Sequence, residues 1–172
     1  MLTGILILVA YGVLVSGITD SKPLVMFSDV VSGFAVIGIA VLMFPFFRVL
    51  NKKLSVSYLL LKILEGTLMI VGGIFFLDNS LRFIRNWIYS GVHLYIFIVS
   101  GFIFYYLLYK TKLIPRFISV WGAIAILVLL TTTALKLMGL NFPALDALLV
   151  LVITNEVFLA IWLMVKGLKT KV

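Results

Sequence analysis

Three charged side chains lie near the middle of long apolar stretches of this sequence: Lys62, Glu65 and Glu156. A charged group is costly in an apolar environment unless it pairs with another group or faces a protected cavity. Lys62 and Glu65 are three residues apart, a spacing that puts both on one face of a helix and predicts a local ion pair. Glu156 has no basic neighbour within its own apolar stretch. It must therefore share Lys62 across helices, accept a hydrogen bond from Asn155, Thr154 or a tyrosine, or remain protonated.

These residues allow two interpretations. In the first, they only hold helices together, as interhelical hydrogen bonds in membranes do for about 1 kcal/mol each. In the second, two carboxylates and one ammonium surround a small buried cavity that binds a proton, an ion or a polar headgroup. Counting along the helices puts two further groups at the mouth of such a cavity. The candidates for ligand or proton binding are Lys62, Glu65, Glu156, Asn155 and the outer pair Asp29 and His93.

Several other kinds of chemistry are disfavoured by residue type. The chain has no cysteine and one histidine, which excludes thiolate metal sites and disulfides and argues against a metal centre. No serine lies in the sequence context of a nucleophile elbow. We therefore predict no metal and no cofactor. We also predict that the chain is not an enzyme, with an intramembrane acid–base reaction of Glu65 and Glu156 as the open alternative.

The composition defines the elements that must position these residues. Of 172 residues, 64% are hydrophobic and 12% are charged, and the mean hydropathy is +1.29. Soluble domains contain about 25% charged residues and need polar side chains to cover their surface. A water-soluble monomer is therefore excluded, and most of the exposed surface must contact lipid.

Charges, Pro, Gly and Asn divide the chain into six apolar stretches, and a helical crossing needs about 20 residues. The sequence thus predicts an all-α integral membrane protein, a bundle of six transmembrane helices forming a single domain over residues 1–172. The predicted spans are 2–18, 24–47, 55–77, 87–109, 117–135 and 144–165. A cleaved secretory signal is the alternative for the first span, although Met1-Leu2-Thr3 lacks a basic start and no small-x-small cleavage site follows.

The basic residues alternate between the two ends of these spans. Nine lie on one side, namely Arg48, Lys52, Lys53, Lys110, Lys112, Arg116, Lys166, Lys169 and Lys171. Four lie on the other side, namely Lys22, Arg82, Arg85 and Lys136. The positive-inside rule makes the richer side cytoplasmic, so both termini are predicted to be cytoplasmic. Contact of these basic residues with anionic lipid headgroups accounts for the net charge of +8. Their dispersal along the membrane-flanking segments does not favour binding of nucleic acid.

Three stretches of the sequence are similar to a known family. Residues 104–122 (FYYLLYKTKLIPRFISVWG), 156–167 (EVFLAIWLMVKG) and 62–66 (KILEG) resemble motifs of the bacterial membrane family called domain of unknown function 4386. In that family the third motif usually begins with Arg instead of Lys. The resemblance implies a six-span protein of the bacterial inner membrane. It implies no activity, because the family is named for lacking one.

The functional hypothesis from sequence is accordingly a carrier or a ligand- or lipid-binding bundle with a Lys/Glu site near the membrane midplane. The alternatives are a structural or partner subunit of a membrane complex and, third, an intramembrane enzyme. The expected partners are membrane lipids, with a second copy of the chain or another membrane protein as open alternatives.

Overall fold

A computed structural model gives the fold of the chain. It describes residues 1–12, 14, 18–19, 21–140 and 143–169, without the side chains of 144 and 146. Every regular element in these ranges is helical and none is a strand, which confirms the all-α prediction for the described part. The α-helices are α1 (Leu2–Ala10), α2 (Lys22–Arg48), α3 (Lys52–Phe75), α4 (Arg82–Trp87), α5 (Leu94–Thr111), α6 (Arg116–Leu137), α7 (Pro143–Leu148) and α8 (Val150–Val165).

Four helical stretches are long and apolar enough to cross a membrane. They are α2, α3, the stretch Asn79–Thr111 and α6, with 27, 24, 33 and 22 residues. The third of these begins with a 3-10 turn and contains a π-helix, Ile88–His93, between α4 and α5. It starts before the predicted span 87–109 because Arg82 and Arg85 continue the helix rather than ending it.

The first and last predicted spans correspond to shorter helices. The α-helix of the first span has nine residues, and positions 13 and 15–17 of that span lie outside the described residues. The last span is covered by α7 and α8, which are separated at Leu149, and α8 is an apolar helix of 16 residues.

Local sequence signals set the helix ends. The side chain of Asn51 caps α3 by accepting a hydrogen bond from the Leu54 N–H at 3.1 Å. Pro23 lies in the first turn of α2, where its missing N–H costs nothing. Lys112 takes a left-handed conformation after α5, with φ of 56°, and Pro115 precedes α6. These signals join α2 to α3 and α5 to α6 through tight turns that carry the basic residues.

The spanning elements form a closed ring. Along the chain, α1 packs on α2, α2 on α3, α3 on α5, α5 on α6 and α6 on α8, and α8 returns to α1. The α2–α3 contact is the most extensive of these. A Cβ atom at Gly33 or Gly66 would collide with the carbonyl oxygen of the other residue, so the two backbones touch directly. The ring leaves space at its centre.

Contacts between connections show which ends of the helices lie together. The Lys169 N–H donates to the Leu113 carbonyl oxygen at 2.8 Å, so the start of the tail meets the α5–α6 turn. At the opposite end, Lys22 Nζ donates to the Leu77 carbonyl oxygen at 3.0 Å. Gly4 lies against Met164, so α1 begins where α8 ends. The basic residues of the α5–α6 turn and those that follow α8 therefore lie at the same end of the bundle.

Candidate functional site

A cavity of about 300 Å³ occupies the centre of the ring. Its walls are almost entirely apolar, and residues from α1, α2, α3, α5, α6 and α8 all contribute to them. Four of the six candidates from the sequence line it: Lys62, Glu65, Glu156 and His93. The fold thus brings together, around one cavity, charged groups from α3 and α8 that are about 90 residues apart in the chain.

The Lys62–Glu65 ion pair is present within α3. Lys62 Nζ lies 2.9 Å from each carboxylate oxygen of Glu65, and the two side chains are only 11% and 2% exposed. Ser100 of α5 donates a further hydrogen bond to Glu65 at 3.0 Å. Lys62 Nζ also lies 5.0 Å from the centre of the Phe97 ring, within range of a cation–π contact. Both charges of the pair are therefore satisfied locally.

Glu156 is bound by a tyrosine, one of the alternatives that the sequence left open. The Tyr11 hydroxyl donates to Glu156 Oε2 at 3.1 Å, which joins α8 to the residue that follows α1. Within the described part of the chain, this is the only hydrogen bond to the Glu156 side chain. Neither Lys62 nor Glu65 forms an ion pair or a hydrogen bond with Glu156 in the described part of the chain. Tyr11 was not a candidate from sequence, because nothing in an isolated tyrosine near a helix end reveals its partner.

Asn155 lies beside the cavity and positions one of its walls. The Tyr105 hydroxyl donates to Asn155 Oδ1 at 2.7 Å, and Asn155 Nδ2 donates to the Ile118 carbonyl oxygen at 3.1 Å. Both residues are buried, and the Tyr105 ring lines the cavity. Asn155 thus connects α5, α6 and α8 and does not face the cavity itself.

His93 enters the cavity from the π-helix. A π-helix widens the turn and is frequent at functional sites. His93 is the last residue of this segment, and its ring centre lies 5.3 Å from that of Tyr89. Its buried Nε2 has no hydrogen-bond partner among the described residues. The sequence did not reveal the π-helix, because no residue pattern in 88–93 distinguishes it from an α-helix.

Asp29 lies apart from the cavity, in a second buried ion pair. Arg85 Nη2 donates to Asp29 Oδ2 at 2.9 Å, and Asp29 is fully buried. The Arg85 guanidinium also lies 4.7 Å from the Phe76 ring centre and 4.6 Å from that of Tyr89. We expected Arg85 in a loop at the membrane surface. The structure instead buries it, because α4 extends the helix and turns this side chain toward α2.

The fold and the cavity define the class: a helical protein with membrane-length apolar helices and charged groups that line a cavity between them. The sequence model of the family described as domain of unknown function (DUF4386) matches residues 77–167, just over half of the chain. The chain belongs to this family, as the motifs predicted. The match includes His93 and Glu156, while Lys62 and Glu65 precede it. No curated protein and no solved structure matches the chain.

Proposed function

We propose that this chain is a six-span membrane protein that binds a small, largely apolar molecule in its central cavity. The observation that carries the proposal is the convergence of Lys62, Glu65 and Glu156 on one cavity lined by six helices. Polar residues that only hold helices together do not need a cavity, because interhelical hydrogen bonds form best where the helices pack closely. Pockets for small molecules are likewise mostly apolar with a few polar groups that orient the ligand.

Six crossings and a common side for both termini fit the contacts between connections. The start of α1 lies beside the end of α8, and the Lys169–Leu113 contact puts the tail next to the α5–α6 turn. An even number of crossings brings both termini to one side. The basic turns lie on that side, and the positive-inside rule makes it cytoplasmic.

The membrane that fits this proposal is the bacterial inner membrane. The family resemblance implies it, and the basic turns are suited to the anionic headgroups of the cytoplasmic leaflet. In this arrangement the cavity lies near the bilayer midplane, because Glu65 and Glu156 are each near the middle of their helices. Charged residues at that depth are typical of substrate and ion pathways.

A cavity-filling substitution tests the proposal. The Val152 side chain lines the cavity, whereas Val99 is half exposed on the outside of α5. We expect Val152→Phe to lower the amount of any small molecule that copurifies with the protein, measured by mass spectrometry of the denatured sample. Val99→Phe is the matched control and should leave that amount unchanged. Wild-type protein that copurifies with nothing, or equal amounts in both variants, would favour the alternative of a structural or partner subunit.

A further inference from the structure

The charged groups that face the cavity differ in whether an opposite charge neutralises them. Lys62 is already neutralised, because its ammonium contacts both oxygens of Glu65 at 2.9 Å. Glu65 in turn accepts a hydrogen bond from the Ser100 hydroxyl at 3.0 Å. An anionic ligand would have to compete with Glu65 for Lys62 inside a confined apolar space. The pair therefore leaves little affinity for an incoming anion.

Glu156 has no such compensation. Its one hydrogen bond among the described residues comes from Tyr11, which carries no charge. The two ion pairs found in the described part of the chain, Lys62–Glu65 and Asp29–Arg85, do not include it. With both carboxylates ionised and the histidine neutral, the groups lining the cavity sum to one negative charge. A buried carboxylate without a counter-charge is costly, so a ligand that brings a positive charge gains the most by binding beside it.

Aromatic rings surround the same space. Tyr11, Tyr58, Phe97, Phe104 and Tyr105 all line the cavity. The faces of aromatic rings carry partial negative charge and attract cations, and aromatic cages are the common recognition element for quaternary ammonium groups. Apart from the charged groups, the tyrosine hydroxyls and the His93 imidazole, the walls are apolar, so most of the remainder of a ligand must be apolar too.

The size of the cavity limits the ligand further. At about 30 Å³ for each water-sized group, a volume of about 300 Å³ holds on the order of ten non-hydrogen atoms. A proton alone needs no such volume. A metal ion is not favoured either, because the described residues contain no group of three or more His, Cys, Asp or Glu that could hold one.

We infer that the ligand is a small lipophilic cation, an amine or quaternary ammonium on an apolar body, with Glu156 as its counter-ion and the tyrosines as its cage. This inference rests on the proposed function and specifies the class of ligand. The Lys62–Glu65 pair has a different role, because its two charges neutralise each other and it contributes a polar but uncharged part of the cavity wall.

Three probes of one shape test the inference on the full chain in nanodiscs of phosphatidylglycerol, whose headgroup carries no ammonium group that could compete with the cation. Benzyltrimethylammonium is a permanent cation, neopentylbenzene replaces its nitrogen by carbon, and phenylmethanesulfonate is an anion of similar size. The measurements are equilibrium dialysis of the labelled cation and the shift in unfolding temperature with each probe, after subtraction of empty nanodiscs. We expect the cation to bind most tightly and to raise the unfolding temperature most.

Two variants connect this binding to Glu156. Glu156→Gln should weaken the affinity for benzyltrimethylammonium at least tenfold, because it removes the counter-charge. Asp78→Asn removes a carboxylate from the exposed turn before α4 and should change the affinity less than twofold. Because the comparison of probes uses wild-type protein, the inference remains testable if Glu156→Gln does not fold.

The outcomes separate the inference from the proposed function. Tighter binding of the anion, or equal binding of the cation by Glu156→Gln, overturns the assignment of Glu156 as counter-ion. Equal binding of the neutral isostere also overturns it, while the cavity remains a binding site. If no probe binds, the cation inference fails, and the proposed function is then decided separately by the Val152→Phe comparison.

Discussion

The buried pair of Lys62 and Glu65 gives a quantitative test of the energetics inside the bundle. Replacing Lys62 by Met leaves the Glu65 carboxylate, which is 2% exposed, with only the Ser100 hydroxyl as a partner. Removing one member of a buried ion pair costs about 3 to 5 kcal/mol, because the remaining charge stays buried without compensation. For a chain of this size that loss corresponds to a fall in unfolding temperature of roughly 6 to 20 °C.

The double variant should be more stable than the single one. In Lys62→Met/Glu65→Gln neither charge remains, and the amide oxygen that replaces the Glu65 carboxylate can still accept the hydrogen bond from Ser100. The Glu65→Gln variant alone should be intermediate, since Lys62 keeps a carbonyl oxygen as its partner. We therefore expect a coupling energy of about 1 to 3 kcal/mol between the two positions.

The assay is reversible unfolding of the purified protein in detergent for wild type, the two single variants and the double variant. Lys53→Met is the matched control, because Lys53 is exposed at the start of α3 and its loss should change stability by about 0.5 kcal/mol or less. Simple additivity of the two single effects would refute the reasoning. So would a Lys62→Met variant that is as stable as the double variant.

Three further predictions address the topology, the second ion pair and Glu156. Reporter fusions at Val172 and within residues 136–143 should report opposite sides of the membrane, and a tail on the outer side would contradict the assignment of the termini. Arg85→Met should lower the free energy of unfolding by about 3 kcal/mol or more, because it leaves the buried Asp29 carboxylate without its counter-charge. Arg82→Met removes a contact with Phe76 but no ion pair found among the described residues, so it should lower the free energy of unfolding by less. Equal losses in the two variants would contradict this prediction. Glu156→Gln should keep most of the stability, because an amide oxygen can still accept the hydrogen bond from Tyr11. The same variant should abolish pH-dependent uptake or binding of benzyltrimethylammonium in proteoliposomes. An unchanged pH dependence would exclude Glu156 from the site.

The sequence predicted best those features that depend on a single helix. The Lys62–Glu65 pair follows from a spacing of three residues, which fixes the relative direction of two side chains on any α-helix. The six apolar stretches follow from composition in the same way. For four of them the structure has helices of membrane length, and the first and last contain shorter ones.

Contacts between helices were predicted only as alternatives. For Glu156 the sequence left open a bond to a tyrosine, Asn155, Thr154 or Lys62, or a protonated carboxyl, and the choice of Tyr11 depends on how α1 and α8 are rotated against each other. The Asp29–Arg85 pair joins residues 56 positions apart. This pair can form only because the helix continues through Arg85. In a sequence, a charge at the end of an apolar stretch ordinarily indicates the membrane surface, so the burial of Arg85 could not be predicted.

The two buried ion pairs differ in what they connect, and the difference favours binding over scaffolding at the cavity. Asp29–Arg85 and Tyr105–Asn155 each join separate helices, and neither Asp29, Arg85 nor Asn155 lines the cavity. Lys62 and Glu65 belong to one helix, so their mutual attraction cannot hold two helices together. The contacts of Glu65 with Ser100 and of Lys62 with Phe97 do join α3 to α5, and the Tyr11–Glu156 hydrogen bond joins α8 to the residue after α1. All three charged groups nevertheless also line the central cavity, a placement typical of binding sites and ion pathways, and this supports the proposed binding function over a purely structural role.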